Sequence, residues 1–468
     1  MATATVIAPV SADGRERAAA FDLKRLDPAF LDDPYPTYRA LREHDPVHRM
    51  PDGSYFLTRY DDLVAVYRDA RTFSSDKTVD FKPNFGDSLL YEHHTTSLVF
   101  NDPPVHTRVR KLLGPAFSPR ALKALQPRIE ALVDRLLDAA AERGTIDMID
   151  DFAAAIPVQL IGDLLGIPDD ERGPLRGWSL AILGALEPVL SGEQFDAGNR
   201  AVSEFKAYLQ DIIARRQRGN AHDGREILST LVGASAPAGE GGSGECLSEL
   251  ELLHNCIFLL NAGHETTTNL IGNSVHLLID HPGAWRDLAA HPESIETAVE
   301  EFLRMESSNQ LGNRRAVRDV EIGGAILPAG SYVHLCIGAA NRDPAEFPDP
   351  DRLDIRRAPN RHLAFGGGIH TCAGNSLARM EAQVALRKLT ARFAAIERAG
   401  PSVRAAARAF AASAIIRWRC GERDRFRGSD HFVGLVVGLA VASQRRRPGA
   451  GVELVEAGRD LGVLALEQ

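Results

Sequence analysis

Phe365-Gly366-Gly367-Gly368-Ile369-His370-Thr371-Cys372-Ala373-Gly374 sets one cysteine at the end of a glycine-rich loop. A helix is expected directly after it. Leu377, Met380, Val384 and Leu389 fall near a helical period, among strong helix formers such as Ala378, Glu381 and Ala382. A thiol just ahead of a helix meets unpaired backbone N–H groups and the positive end of the dipole. That placement favours the thiolate, the form that binds metals. A lone cysteine beside a turn is more often a packing residue. The reading therefore depends on what else the chain carries.

The chain has 468 residues, 44% of them apolar and 25% charged, which is an ordinary globular composition. A formal charge of −9, with no basic block interleaved with aromatics, argues against nucleic-acid binding. The five cysteines, Cys246, Cys256, Cys336, Cys372 and Cys420, are scattered and contain no Cys-x-x-Cys pair. Neither a zinc site nor a disulfide framework is suggested, and a reducing, cytoplasmic location fits. Residues 1–20 lack the apolar core of a signal peptide and are expected to form a disordered lead. The longest apolar stretch, Leu252 to Ile279, is interrupted by His254, Asn255, Asn261, His264, Glu265, Asn269, Asn273 and His276. It predicts a long buried helix rather than a membrane span.

The rest of residues 21–420 reads as one large, mainly helical domain with a minor strand component. Val47–Met50 and Ser54–Thr58 form a hairpin across Pro51-Asp52-Gly53. Phe73 to Phe100 lacks periodicity and is expected to be an irregular, functional segment.

Three further patterns carry chemistry. Ala262-Gly263-His264-Glu265-Thr266-Thr267 puts an acid beside a hydroxyl inside the long helix, which is costly without a task. The alternative is a hidden partner for Glu265 and a back-bond from Thr266 to a carbonyl one turn earlier. Glu301-Phe302-Leu303-Arg304 places opposite charges on one helix face, ahead of a Pro-rich segment from Asn341 to Arg352. Asp102-Pro103-Pro104-Val105-His106-Thr107-Arg108-Val109-Arg110 starts a helix with prolines and gives it a basic face.

Together, and in this order, these segments resemble the cytochrome P450 family. Phe365, Gly368, Cys372 and Gly374 match its cysteine-loop signature. The resemblance implies the family's mainly α fold, with a long central helix over haem b (iron protoporphyrin IX). It makes Cys372 the axial ligand, whose electron donation favours O–O cleavage. Ala262 and Gly263 let the helix open beside the iron. Thr266 steadies dioxygen and Glu265 brings in protons. His106, Arg110, Arg314 and His370 meet the haem propionates. Glu301, Arg304 and Arg352 form a buried structural network. The reaction expected is hydroxylation of an apolar small molecule by dioxygen. Electrons come from a separate ferredoxin or flavodoxin with its NAD(P)H reductase, docking on the cysteine side near Arg110 and Arg379. The nearest style is that of the bacterial soluble members, and a monomer is expected. The alternatives are a peroxide-driven peroxygenase, an isomerase-type relative, or a catalytically impaired haem-binding relative.

Phe85, Leu89, Leu90 and Leu98 are the apolar pocket candidates. Tyr91, His93 and His94 either bond a polar substrate group or are solvated loop residues. Three features depart from the family pattern. Ala373 is small, Ser308-Asn309 stands where proline is common, and the chain after Pro401 matches poorly. Residues 421–468 are expected to be an atypical tail, poorly ordered or non-native and dispensable for haem binding. Its apolar run Phe432–Ala442 is 11 residues long, short of the roughly 20 needed to span a bilayer.

Overall fold

The computed structural model of the chain describes residues 12–187, 189–218, 247–398 and 416–419. The expectations for residues 1–11 and for the tail 421–468 lie outside the described residues.

The long helix runs from Glu249 to Asp280. Ser248 starts it with a capping box: its hydroxyl accepts from the Glu251 N–H, and the Glu251 carboxylate accepts from the Ser248 N–H at 2.9 Å. Leu253, Ile257, Leu260, Ile271, Val275 and Leu278 are buried around it, so the helix is apolar on most faces and runs through the core. It packs against Ala155–Leu165, Leu175–Gly184, Ile295–Met305 and the cysteine helix Asn375–Arg392. Among the described residues no helix is long and apolar enough to cross a membrane.

The minor β component includes a five-stranded sheet in the order Val47–Arg49, Tyr55–Leu57, Tyr332–Cys336, Leu311–Ala316, Phe73–Ser74. The first two strands form the expected hairpin, with Val47 opposite Leu57. Leu311–Ala316 and Tyr332–Cys336 pair antiparallel, with Arg314 opposite Val333. A second sheet sets Ile416–Arg419 between Thr145–Ile146 and Ala395–Glu397.

Two expectations fail here. Ala12–Ala19 is a helix, not part of a disordered lead. Ala18 is buried in an apolar cluster with Phe21, Leu23, Tyr38, Leu41 and Phe56, and that burial holds the segment down. Phe73–Phe100 is not irregular either. It contains helices Thr78–Phe85 and Leu89–Thr96 and a 3-10 turn at Leu98–Phe100. Each helix has eight residues, too short to develop a periodic signal in a window of about 11–18.

Candidate functional site

A cavity of about 1180 Å³ lies between the long helix and the cysteine loop. Phe365, Cys372, Ala373 and Gly374 line it from the loop, and Ala262, Gly263 and Thr266 from the helix. His106, Arg110, Arg314 and His370 line it as well. The cysteine loop, the Thr266 hydroxyl and the four groups expected to meet the propionates therefore line one cavity, whereas Gly368, Glu265, Glu301 and Arg304 do not line it.

The loop is held by its own backbone. The Cys372 N–H donates to the Phe365 carbonyl at 3.0 Å, and the Gly366 N–H to the Leu363 carbonyl at 2.8 Å. Gly368 has φ +64°, and a Cβ built there would stand 1.9 Å from the Tyr67 carbonyl oxygen. Only glycine lets this loop lie so close to the end of helix Tyr60–Arg68. Opposite, a Cβ on Gly263 would come within 2.6 Å of Ile161 Cδ1, so the long helix is pressed onto Ala155–Leu165 at this point.

Burial pushes the Cys372 thiol above its ordinary pKa, while the Gly374 N–H, Arg110 and Arg379 pull the other way. Desolvation thus opposes the thiolate preference expected of the helix start.

Arg110 donates to the Thr371 carbonyl at 2.7 Å. Arg314 is half-buried over the Tyr67 ring, 5.5 Å from its centroid, and donates to the Asn313 carbonyl at 2.6 Å. The rings of His106 and His370 lie 4.2 Å apart. Both His106 nitrogens and His370 Nε2 are buried without a hydrogen-bond partner. Among the described residues no carboxylate pairs with Arg110 or Arg314. Two guanidinium groups and two imidazoles thus line the cavity beside the Cys372 thiol, with three ring nitrogens unpartnered. This set fits a haem with its two propionates.

Thr266 Oγ1 donates to the Ala262 carbonyl at 2.7 Å, so the back-bond is present. Glu265 is bonded to Asn269 Nδ2 at 3.4 Å, and burial raises its pKa.

Arg352 is not the partner of Glu301. Its side chain is 67% exposed and lies 3.3 Å from Asp354. Arg357 takes its place, with Nε 3.1 Å from Glu301 Oε2. Arg352 contributes only its carbonyl to the network.

Arg379 is not a free docking group. It grips Glu300 with two hydrogen bonds of 2.7 and 2.8 Å and lies over the Phe365 ring, 4.5 Å from its centroid. Burial would raise the Glu300 pKa, but Arg379 and His362 bring it down to about 2.

Phe85 and Leu98 line the cavity, whereas Leu89 and Leu90 do not. Leu90 faces helix Gly192–Arg218, and its N–H donates to Asn199 Oδ1 at 3.0 Å. His93 and His94 are buried in the cavity wall rather than solvated.

Sequence reasoning missed Glu381. It lies on the cysteine helix, lines the cavity at 2% exposure, and is bonded to Thr267. Burial raises its pKa to about 8. Between Met380 and Ala382 it reads as an ordinary helix former, and only a helical projection from Cys372 and Leu377 hints that it faces inward.

The family model described as Cytochrome P450 matches residues 179–291 and 287–400. A biotin biosynthesis cytochrome P450 of Bacillus subtilis (strain 168) is 36% identical over 366 residues, covering 78% of this chain and 90% of that protein. The vitamin D(3) 25-hydroxylase of Pseudonocardia autotrophica is 39% identical over 373 residues, covering 77% and 87%. The crystal structure of CalO2 matches with a TM-score of 0.79 at 32% identity, covering 86% of this chain and 99% of that one. The cavity geometry and these matches agree: the chain belongs to the cytochrome P450 family of monooxygenases, whose cofactor is haem.

Proposed function

We propose that this protein hydroxylates an apolar small organic molecule with dioxygen, using haem b seated on Cys372. Electrons come from a separate ferredoxin or flavodoxin and its NAD(P)H reductase. The observation that carries this reading is the single space that Cys372, Thr266 and the unmet donors of His106 and His370 share. Relatives named as hydroxylases, the vitamin D(3) enzyme and 6-deoxyerythronolide B hydroxylase of Saccharopolyspora erythraea, support the reaction class.

Bound haem supplies the oxygen-activating chemistry. The residues do the rest. Cys372 Sγ, held at the cavity wall by the loop's own hydrogen bonds, would bind the haem iron. Arg110, Arg314, His106 and His370 would hold its propionates, which would meet ring nitrogens that His106 and His370 leave unpartnered. Thr266 Oγ1 can release the Ala262 carbonyl and present its proton to the cavity. Glu265 does not line the cavity, so it reaches the site by rotation or through water. Burial raises its pKa, so it holds a proton more readily than a solvated carboxylate does, as a proton carrier must. Phe85, Leu98, Phe100, Ile161 and Leu164 make the lining apolar, which excludes water and favours an apolar substrate.

The test is the reduced carbon monoxide complex of the purified protein. It should show the red-shifted Soret band of thiolate ligation, and Cys372→His should lose it. A band that survives the substitution overturns the assignment. With NADH, ferredoxin and its reductase, the wild type should then form a hydroxylated product.

A further inference from the structure

The cavity wall carries a chain of hydrogen bonds that oxygen chemistry does not use. It begins at Glu92 on helix Leu89–Thr96. Lys206 Nζ donates to Glu92 Oε1 at 2.8 Å, and His254 Nε2 lies 2.9 Å from the same oxygen. These partners hold the Glu92 pKa below its usual value against the pull of burial, so the carboxylate is ionised. An ionised carboxylate only accepts, so His254 Nε2 carries the hydrogen.

Burial keeps His254 neutral, so its Nδ1 must accept. Its neighbour is His93 Nδ1 at 3.3 Å, which therefore donates. Burial keeps His93 neutral too, leaving its Nε2 as an acceptor. The partner of that nitrogen is Asn261 Nδ2 at 3.5 Å. The charge on Glu92 thus fixes two tautomers and the orientation of one amide. Asn261 Oδ1 is left over, buried and without a partner. An amide does not pass protons on readily, so the chain ends at Asn261 and does not conduct.

A second unmet atom lies on the other side of His93. His94 is boxed by the rings of Phe81, Phe85 and Phe100, with centroids 5.6, 5.3 and 5.7 Å away. Its Nε2 has no partner. Asn261 and His94 both belong to the cavity lining, and they are 2% and 1% exposed. This part of the wall is braced, because the Leu98 N–H donates to Asn255 Oδ1 at 3.0 Å and the Leu90 N–H to Asn199 Oδ1 at 3.0 Å. A site braced before binding loses little entropy when a ligand orders it.

We propose that Asn261 and His94 form a neutral hydrogen-bonding anchor that selects substrates with a hydroxyl or N–H donor on an otherwise apolar skeleton. A donor hydrogen satisfies Asn261 Oδ1, and His94 meets the same or a neighbouring heteroatom. A plain hydrocarbon gains nothing from the wall. A carboxylate brings only acceptor atoms to an acceptor oxygen, and Lys206 is already committed to Glu92. The anchor rests on the monooxygenase reading for the oxidation step, because it fixes one end of the substrate while another part is oxidised.

The test uses the haem-loaded full chain and three probes: dodecan-1-ol, 1-methoxydodecane and dodecanoate. Binding is read by calorimetry and by the Soret shift. The alcohol should bind about tenfold more tightly than the ether, and dodecanoate no more tightly than the ether. Asn261→Leu with His94→Phe should bring the alcohol-to-ether ratio below about twofold while leaving ether affinity nearly unchanged. The two single variants serve if the double variant unfolds, and each should lower the ratio. Equal binding of alcohol and ether, no measurable binding of the alcohol, or a ratio that survives the substitutions overturns the anchor. The carbon monoxide band of the same samples separates the two readings. Its absence sinks the monooxygenase, and its presence without discrimination sinks only the anchor.

Discussion

Arg357 Nε donates to both carboxylate oxygens of Glu301, at 3.2 and 3.1 Å, across the gap between helix Ile295–Met305 and the segment that leads to the cysteine loop. Arg304 donates to the same two oxygens from within the helix, at 2.8 Å each. The Glu301 and Arg304 side chains are fully buried. Arg357→Ala removes charged hydrogen bonds from Glu301, which keeps Arg304, and should cost about 1–3 kcal/mol. Arg352→Ala removes a solvated pair and should stay within about 0.5 kcal/mol. Denaturant unfolding of both variants checks this, and equal losses would return the role to Arg352.

Thr266→Ala should keep haem and substrate spectra and divert electrons to peroxide. On the proposed function its hydroxyl serves the proton path, and its bond to the Ala262 carbonyl is not needed to hold a 32-residue helix. Product formed per NADH consumed should fall several-fold. An unchanged ratio makes Thr266 a helix residue only. Glu265→Gln should slow turnover about 10-fold or more, as expected for a lost proton carrier, and a wild-type rate removes it from the path.

Glu381 gives a pH signature. Its carboxyl ionises near 8 in the folded chain against an ordinary value of 4.5. Between these values the folded state keeps a proton that the unfolded state has lost. The associated stability is complete below about pH 4.5, declines as pH rises towards 8, and is lost above it. Glu381→Gln keeps a neutral side chain beside Thr267 and should flatten that decline by a few kcal/mol over the same window. Thermal melts from pH 5 to 9 decide. Parallel curves for the two proteins would show that Glu381 is not protonated in the fold.

Arg379→Glu places a second carboxylate against Glu300 and removes the guanidinium from the Phe365 ring. Loss of charged hydrogen bonds at a half-buried site should cost roughly 1–3 kcal/mol and disturb the haem spectrum. A residue used only for docking would behave differently. It would leave spectrum and stability alone and change only the salt dependence of reduction. Melts, the Soret band and the first-electron rate against ionic strength separate the two roles.

The sequence made the cysteine loop and the long helix legible for a physical reason. Glycines around Cys372 and a capped apolar helix are local signals, and each is strong alone. The convergence of His106, Arg314 and His370 was readable only through family resemblance, since no spacing rule links them. Arg352 and Arg357 lie in an irregular Pro-rich segment with no period to say which side chain turns inward. Leu90 and His94 share a helix too short to reveal its faces, and so their places were exchanged. Glu381 stayed hidden because a protonated carboxyl in a core looks, in sequence, like any surface glutamate.

Gly368 lying against the Tyr67 carbonyl also has a consequence for how the molecule is made. The loop that bears Cys372 takes its position from a helix near the other end of the described chain. A ribosome delivers Tyr67 early and Gly368 late, so this close approach cannot form until most of the described chain has been made. The helices between them can form locally as they emerge, whereas the loop arrives late, onto a helix made long before it. Contacts so far apart in sequence form late and slowly. On the proposed function, haem capture on Cys372 thereby belongs to the end of assembly.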